Sequence, residues 1–213
     1  YSYDEFGNRV SIIRKYQENG ILNNDFFETF TYDLKGNILT DNEQTWTNGI
    51  WVNKEFNTYT YDIQSKLLTL LQELWINNAW LKVNKRVLNY DEMGHKIEEL
   101  LFSWSESNGL WYENLRDSYT YDVNGNMLTY LRENRGINTW VNYEKNIYTY
   151  NADGKCLTDL HLEWSNNNWT NDFRQTYTYN LFGNRILWVS EHFYYGFWLN
   201  YEKCKYIFAD NIN

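Results

Sequence analysis

The chain has 213 residues, with eleven Trp, twenty Tyr, two Cys and no Pro, a formal net charge of −9 and a pI near 4.9. That acidity, with no stripe of Lys or Arg to counter it, argues against a nucleic-acid partner. No stretch approaches the roughly 18 apolar residues of a membrane helix, no signal peptide is visible, and two cysteines do not make a disulfide framework. Average usage of about 5% would supply roughly ten prolines. Their absence suits long paired strands, where Pro removes a ladder donor.

A tyrosine followed by Asp or Asn recurs at Tyr3, Tyr32, Tyr61, Tyr90, Tyr121, Tyr150 and Tyr179, and Phe208 closes the series. Successive gaps are 29, 29, 29, 31, 29, 29 and 29 residues. A fixed period of this size marks a repeat architecture. The chain therefore reads as a single array over 1–213, with repeats 3–31, 32–60, 61–89, 90–120, 121–149, 150–178 and 179–207, cut within a repeat at both ends.

Each repeat opens on a reversal. Asp4, Asp33, Asp62, Asp91, Asp122, Asn151 and Asn180 are followed three residues later by Gly7, Gly36, Gly94, Gly125, Gly154 and Gly183, with Ser65 as the exception. Asp or Asn first and Gly fourth predicts a type I turn whose Gly takes the left-handed bulge position. A second reversal sits half a repeat later, at Asn19-Gly20, Asn48-Gly49, Asn77-Asn78, Asn166-Asn167 and Tyr195-Gly196. Such pairs centre two-residue hairpin turns. The prediction is an all-β meander of about 14 antiparallel strands.

These turns set a register. With Asn48-Gly49 as the loop, Trp46 faces Trp51; the same count pairs Trp75 with Trp80, Trp164 with Trp169 and Phe193 with Trp198. The 31-residue repeat inserts an even number of residues at its tip, so Trp104 still faces Trp111. A regular ladder pairs Ile38 with both Tyr32 and Tyr59, a shift of two residues per repeat. That stagger, and the rarity of open sheets beyond about ten strands, predicts a coiled sheet, a spiral or partial barrel. On one face the ladder places the Trp pairs, Ile13, Leu71, Leu100, Leu131, Leu160, Val189, Tyr59 and Tyr61, as the principal core. Val10, Leu39, Leu68, Ile97, Leu128, Leu157 and Ile186 form a stripe on the other, more polar face.

The stretches YTYDIQSKLLT, YTYDVNGNMLTY and FTYDLKGNILT resemble the tyrosine-aspartate (YD, or Rhs) repeats of secreted bacterial proteins. The resemblance implies β-hairpins winding into a spiral wall, and an extracellular or outer-surface location. The chain departs from that pattern in its longer repeat, its Trp-paired tips and Asn after the glycine, and it shows neither a core-associated segment nor a toxin domain. It is similar also to Asn-rich repeats of outer-surface proteins in gliding bacteria. Choline-binding cell-wall repeats share the Trp, Tyr and Gly-centred hairpins but open on a Gly-Trp pair missing here.

Catalytic chemistry finds little support. His95, His161 and His192 sit in three repeats at different positions, and no zinc spacing occurs. Cys156 and Cys204 fall three strands apart, roughly 14 Å, beyond reach of a disulfide. Asp122, Asn124 and Asn126 alternate as in part of a calcium loop, without the Glu that would complete one. Glu43 faces Lys54 as an exposed pair, and no two carboxylates are singled out for glycosidase chemistry. The expectation is no enzyme, no cofactor and no metal. Trp46, Trp51, Trp75, Trp80, Trp104, Trp111, Trp140, Trp164, Trp169 and Trp198 are read first as hairpin staples, and second as a stacking platform for extended glycans. Charged and amide residues on both faces argue against a membrane barrel. The expected role is a secreted structural or adhesive module, with a carbohydrate-binding module and a toxin-shell segment as alternatives. Expected partners are a surface glycan, other domains of the same polypeptide, or another sheet edge.

Overall fold

The computed structural model describes residues 1–206; Phe208 and the last residue of the repeat 179–207 lie outside them. Among the described residues there is no helix, and fifteen strands follow one another in sequential antiparallel order in one open sheet. They are β1 (Ser2–Tyr3), β2 (Arg9–Glu18), β3 (Ile21–Tyr32), β4 (Ile38–Thr47), β5 (Ile50–Tyr61), β6 (Leu67–Ile76), β7 (Ala79–Tyr90) and β8 (Lys96–Ser105). The series continues with β9 (Leu110–Tyr121), β10 (Met127–Arg135), β11 (Trp140–Tyr150), β12 (Cys156–Ser165), β13 (Asn168–Tyr179), β14 (Arg185–Tyr194) and β15 (Phe197–Lys205). The chain divides into two compact units, Tyr1–Asn89 with Leu100–Asn114, and Tyr90–Glu99 with Leu115–Asn213.

Both kinds of reversal form where the sequence puts them. At the motif turn Gly36 N donates to Asp33 O and Asp33 N to Asn37 O. The Asp33 carboxylate completes the turn: Oδ1 accepts from the Lys35 and Asn37 amides at 2.8 and 2.9 Å, and Oδ2 accepts from Asn37 Nδ2 at 2.8 Å. Asn follows the glycine because its side chain closes this ring. At the tips both central residues take positive φ, 51° and 85° at Asn48 and Gly49, 52° and 62° at Asn77 and Asn78. In the 31-residue repeat Gly109 N donates to Ser105 O across the longer loop.

The ladder departs from the regular register in one respect, repeated throughout. Trp46 pairs with Trp51 and Gln44 with Asn53, but Glu43 then pairs with Glu55, so Lys54 is a bulge residue. The same shift falls at Asp25, Val83, Tyr143, Asp172 and Tyr201. A second bulge falls after each motif turn, at Val10, Leu39, Leu68, Leu128, Leu157 and Ile186. A bulge adds one residue to one strand and inverts the alternation beyond it.

Three expectations are corrected by this. Thr58, not Tyr59, lies in the row that the regular count assigned, since Thr40 pairs with both Thr31 and Thr58. Because both bulges shift the count by one, the stagger of two residues per repeat is unchanged. Tyr59 and Tyr61 lie opposite the Trp pairs, lining one hollow with Leu39, while Phe56 joins the Trp side and meets Trp80 at 5.7 Å. The aliphatic stripe is therefore the row of bulge residues, and it shares the tyrosine side. Neither side is a buried core: Leu88 is the one apolar residue below a tenth exposed among those described, against the charged Asp41, Glu99, Asp117 and Glu133.

Candidate functional site

The tip turns carry the Trp candidates as the register requires. Trp46–Trp51, Trp75–Trp80, Trp104–Trp111 and Trp164–Trp169 meet edge-to-face, with centroids 5.0–5.1 Å apart, and Phe193–Trp198 copies the arrangement at 5.0 Å. Edge-to-face contact sets a ring's positive rim against its partner's negative face. Trp140 pairs with Arg135, whose guanidinium lies 5.2 Å from the ring centroid while that of Arg116 lies 4.8 Å away. Trp46 is 36% exposed and the other nine candidates are half-buried.

A residue from the preceding repeat closes over several of these rings. In the first unit Phe27 meets Trp51 at 5.5 Å, and the Lys82 ammonium sits 4.8 Å from the Trp104 centroid. In the second, the Arg174 guanidinium lies 4.6 Å from Trp198. The sequence reading missed these closures because the bulge moves Phe27, Phe56 and Arg174 onto the Trp side.

The opposite side holds a band of phenols and carboxylates. Tyr59 donates to Asp41 Oδ2 at 2.6 Å, and Asn57 donates to Asp41 at 3.0 Å and Glu55 at 2.8 Å. Burial, then the Asp41 hydrogen bond, raises the Tyr59 phenol well above its usual range. Lys54 reaches Glu43 at 2.5 Å from the bulge position, although the strand partner of Glu43 is Glu55. In the second unit Arg132 grips Asp117 with two bonds of 2.8 and 2.9 Å, while Tyr130 lies 3.2 Å from both Asp117 and Glu144. Burial, then Asp159, pushes Tyr148 up to about 12.

The remaining candidates resolve one by one. Asp122 Oδ1 accepts from the Asn124 and Asn126 amides, and Oδ2 from Asn126 Nδ2, so turn donors occupy the oxygens of the calcium-like stretch. Cys156 and Cys204 are free, on β12 and β15. His95 Nδ1 lies 3.0 Å from Asp91, and His192 packs edge-on to Tyr201 at 4.9 Å. Among the described residues one group has metal-ligating atoms within 4.8 Å of one another, His161, Glu163 and Asp172.

No family model matches the chain, and no curated protein does. Solved structures resemble it in part. A protein of unknown function from Bacteroides fragilis is 16% identical, with a TM-score of 0.49, over 58% of this chain and 91% of its own. A DUF3836 family protein from Parabacteroides distasonis is 22% identical, with a TM-score of 0.31, over 38% and 76% respectively. The TcdB2-TccC3-TEV structure is 12% identical, with a TM-score of 0.22, over 97% of this chain and 16% of its own.

Proposed function

We propose that the chain is a non-enzymatic, secreted or surface-displayed repeat module of the YD type, a wall of hairpins that serves as stalk, adhesin or casing. The observation that carries this reading is where the motif tyrosines point. Tyr32 and Tyr61 donate to Arg9 O and Ile38 O at 2.7 and 2.8 Å; Tyr121, Tyr150 and Tyr179 donate to Lys96 O, Met127 O and Cys156 O at 2.7–2.9 Å. Each bond joins one repeat to the one before. The motif aspartates are taken up by their own turns, and the Trp rings by each other and by the preceding repeat. Recurring residues are thus committed to cohesion, which no catalytic site needs so many times.

Excising residues 121–149, one whole repeat, tests this directly. An array keeps its nearest-neighbour interfaces and refolds with the same β signature and a lower Tm. A shortened chain that fails to fold, or a full chain that hydrolyses any of a panel of glycans and esters, overturns the reading.

A second reading, glycan binding along the tips, is favoured by the half-open Trp pairs. Titration with cell-wall oligosaccharides, followed by Trp fluorescence, should then give a change that Trp75→Ala diminishes. An unaltered spectrum across the panel eliminates it.

A further inference from the structure

We infer that His161, Glu163 and Asp172 form a binding site for one divalent transition-metal ion, with zinc the best fit to the donors. His161 and Glu163 stand two residues apart on β12 and so share a side of the sheet. Asp172 is the bulge residue of β13, and the bulge brings its carboxylate to that side, with Oδ2 3.7 Å from His161 Nε2. Without the bulge Asp172 would point away.

What makes the imidazole a ligand is its outer partner. Asn146 Nδ2 donates to Asp159 Oδ1 at 2.8 Å, which fixes the orientation of the amide. Asn146 Oδ1 therefore faces His161 Nδ1, 3.1 Å away, as an acceptor. An amide oxygen cannot donate, so Nδ1 carries the ring proton and the Nε2 lone pair is left facing the two carboxylates. Ligating histidines are oriented in this manner, the far nitrogen held by an oxygen. Stacking on Phe173, with centroids 4.7 Å apart and planes at 16°, fixes the ring further.

The charge around Glu163 points the same way. Its strand partner on β11 is Glu144, so two carboxylates stand directly opposite, an unfavourable pairing. Arg132 reaches Glu144 at 3.3 Å. In other repeats the positions of His161 and Asp172 hold side chains of fixed opposite charge, Arg14 with Asp25 at 2.6 Å and Glu43 with Lys54 at 2.5 Å. Here the fixed cation is replaced by a nitrogen donor and a second acid is added two residues on. One nitrogen and two oxygens, with room for water beyond, suit zinc. Tetrahedral bonds of about 2.0–2.2 Å place ligand atoms roughly 3.3 Å apart. His161 and Asp172 are near that already, and Glu163, which is exposed, has freedom to close.

Calorimetric titration of the full chain with Zn²⁺ alone, at pH 7.5 without chelators, tests the site. The expected result is one ion per chain, with at least tenfold weaker binding in both Glu163→Gln and His161→Gln. The Glu163 variant alters an exposed side chain without changing its shape, so loss of fold cannot account for its result. Asn146→Ala should weaken binding by about 10–100-fold through the orienting bond. Co²⁺ should give a visible absorption band that changes in the Glu163 variant. No uptake, millimolar binding of an adventitious ion only, or binding unchanged in Glu163→Gln and His161→Gln, overturns the inference.

Discussion

Replacing Tyr150 by Phe removes one hydroxyl and one bond, the 2.7 Å donation to Met127 O. The ring stays, so the packing contribution is retained and the hydrogen bond is isolated. A neutral hydrogen bond contributes about 0.5–1.5 kcal/mol net, and a carbonyl left unsatisfied costs about 1–3 kcal/mol. Tyr150 is only half-buried, so water recovers part of the loss, and about 1 kcal/mol is expected. For a chain of this length that is a fall in Tm of about 2–4 °C. Tyr121→Phe and Tyr179→Phe remove the equivalent bonds and should behave alike. Those two sites are four strands apart, roughly 19 Å, so their effects should add to within about 0.5 kcal/mol. Tyr195→Phe is the control, because Tyr195 is 99% exposed and should move nothing. Urea unfolding of the four variants and the double variant reads all of these quantities. If Tyr150→Phe matches the control, the phenol is not what couples the repeats and the cohesion argument fails.

Other expectations concern the turns, the buried charges and pH. Gly154→Ala should cost at least about 1 kcal/mol in thermal unfolding, because φ is 75° and the added carbon would sit 3.2 Å from Asn126 Oδ1. Ser65→Gly should be near neutral, since relief of a left-handed serine offsets the lost 3.0 Å bond from Asn37. Arg132→Ala strands Asp117, 6% exposed, and should cost about 3–5 kcal/mol, whereas Arg132→Met with Asp117→Asn should recover most of it. Burial, then Asp41 and Glu43, raises the Glu28 carboxyl above its ordinary 4.5. The folded chain therefore holds that proton more tightly than the unfolded one, and stability should rise as pH falls from 7 toward 4.5. The Asn126 side chain, then its amide, lowers Asp122 below 3.8, so stability should fall again beneath that value as the turns protonate. Tm against pH for Glu28→Gln should lose part of the first limb and keep the second; an unaltered first limb rejects the assignment.

The turns were legible because each demands a residue type. Left-handed φ selects Gly or Asn at positions such as Gly36 and Asn48, and the turn amides select Asp33. The Trp pairs followed by counting outward from those turns, and so did the even insertion that keeps Trp104 opposite Trp111. The bulges demand no residue type. Asp25, Lys54, Val83, Tyr143, Asp172 and Tyr201 share neither size, charge nor backbone preference, so nothing in their identity marks the extra residue. A weaker signal was present in phase. Phe27 and Phe56 are out of step with Trp51 and Trp80 on a regular count, yet large aromatics there only make sense if they reach the same side. The candidate metal group was hidden for the same cause, since a regular ladder turns Asp172 away from His161.

The motif tyrosine and the second bulge explain each other. Val10, Leu39, Leu128 and Leu157 are the residues that interrupt the ladder after the motif turn. The carbonyls that accept from Tyr32, Tyr61, Tyr150 and Tyr179 belong to Arg9, Ile38, Met127 and Cys156, each immediately before one of them. A bulge disrupts backbone pairing locally, and backbone acceptors removed from water need a donor. The phenol of the next repeat supplies it, from 23 residues beyond in the three regular cases Tyr32, Tyr61 and Tyr150. Phe at that position would keep the ring packing and leave the carbonyl without this donor. The bulge therefore does two things: it puts the phenols on the side away from the Trp pairs, and it creates the acceptor that makes tyrosine, rather than any aromatic, the recurring residue.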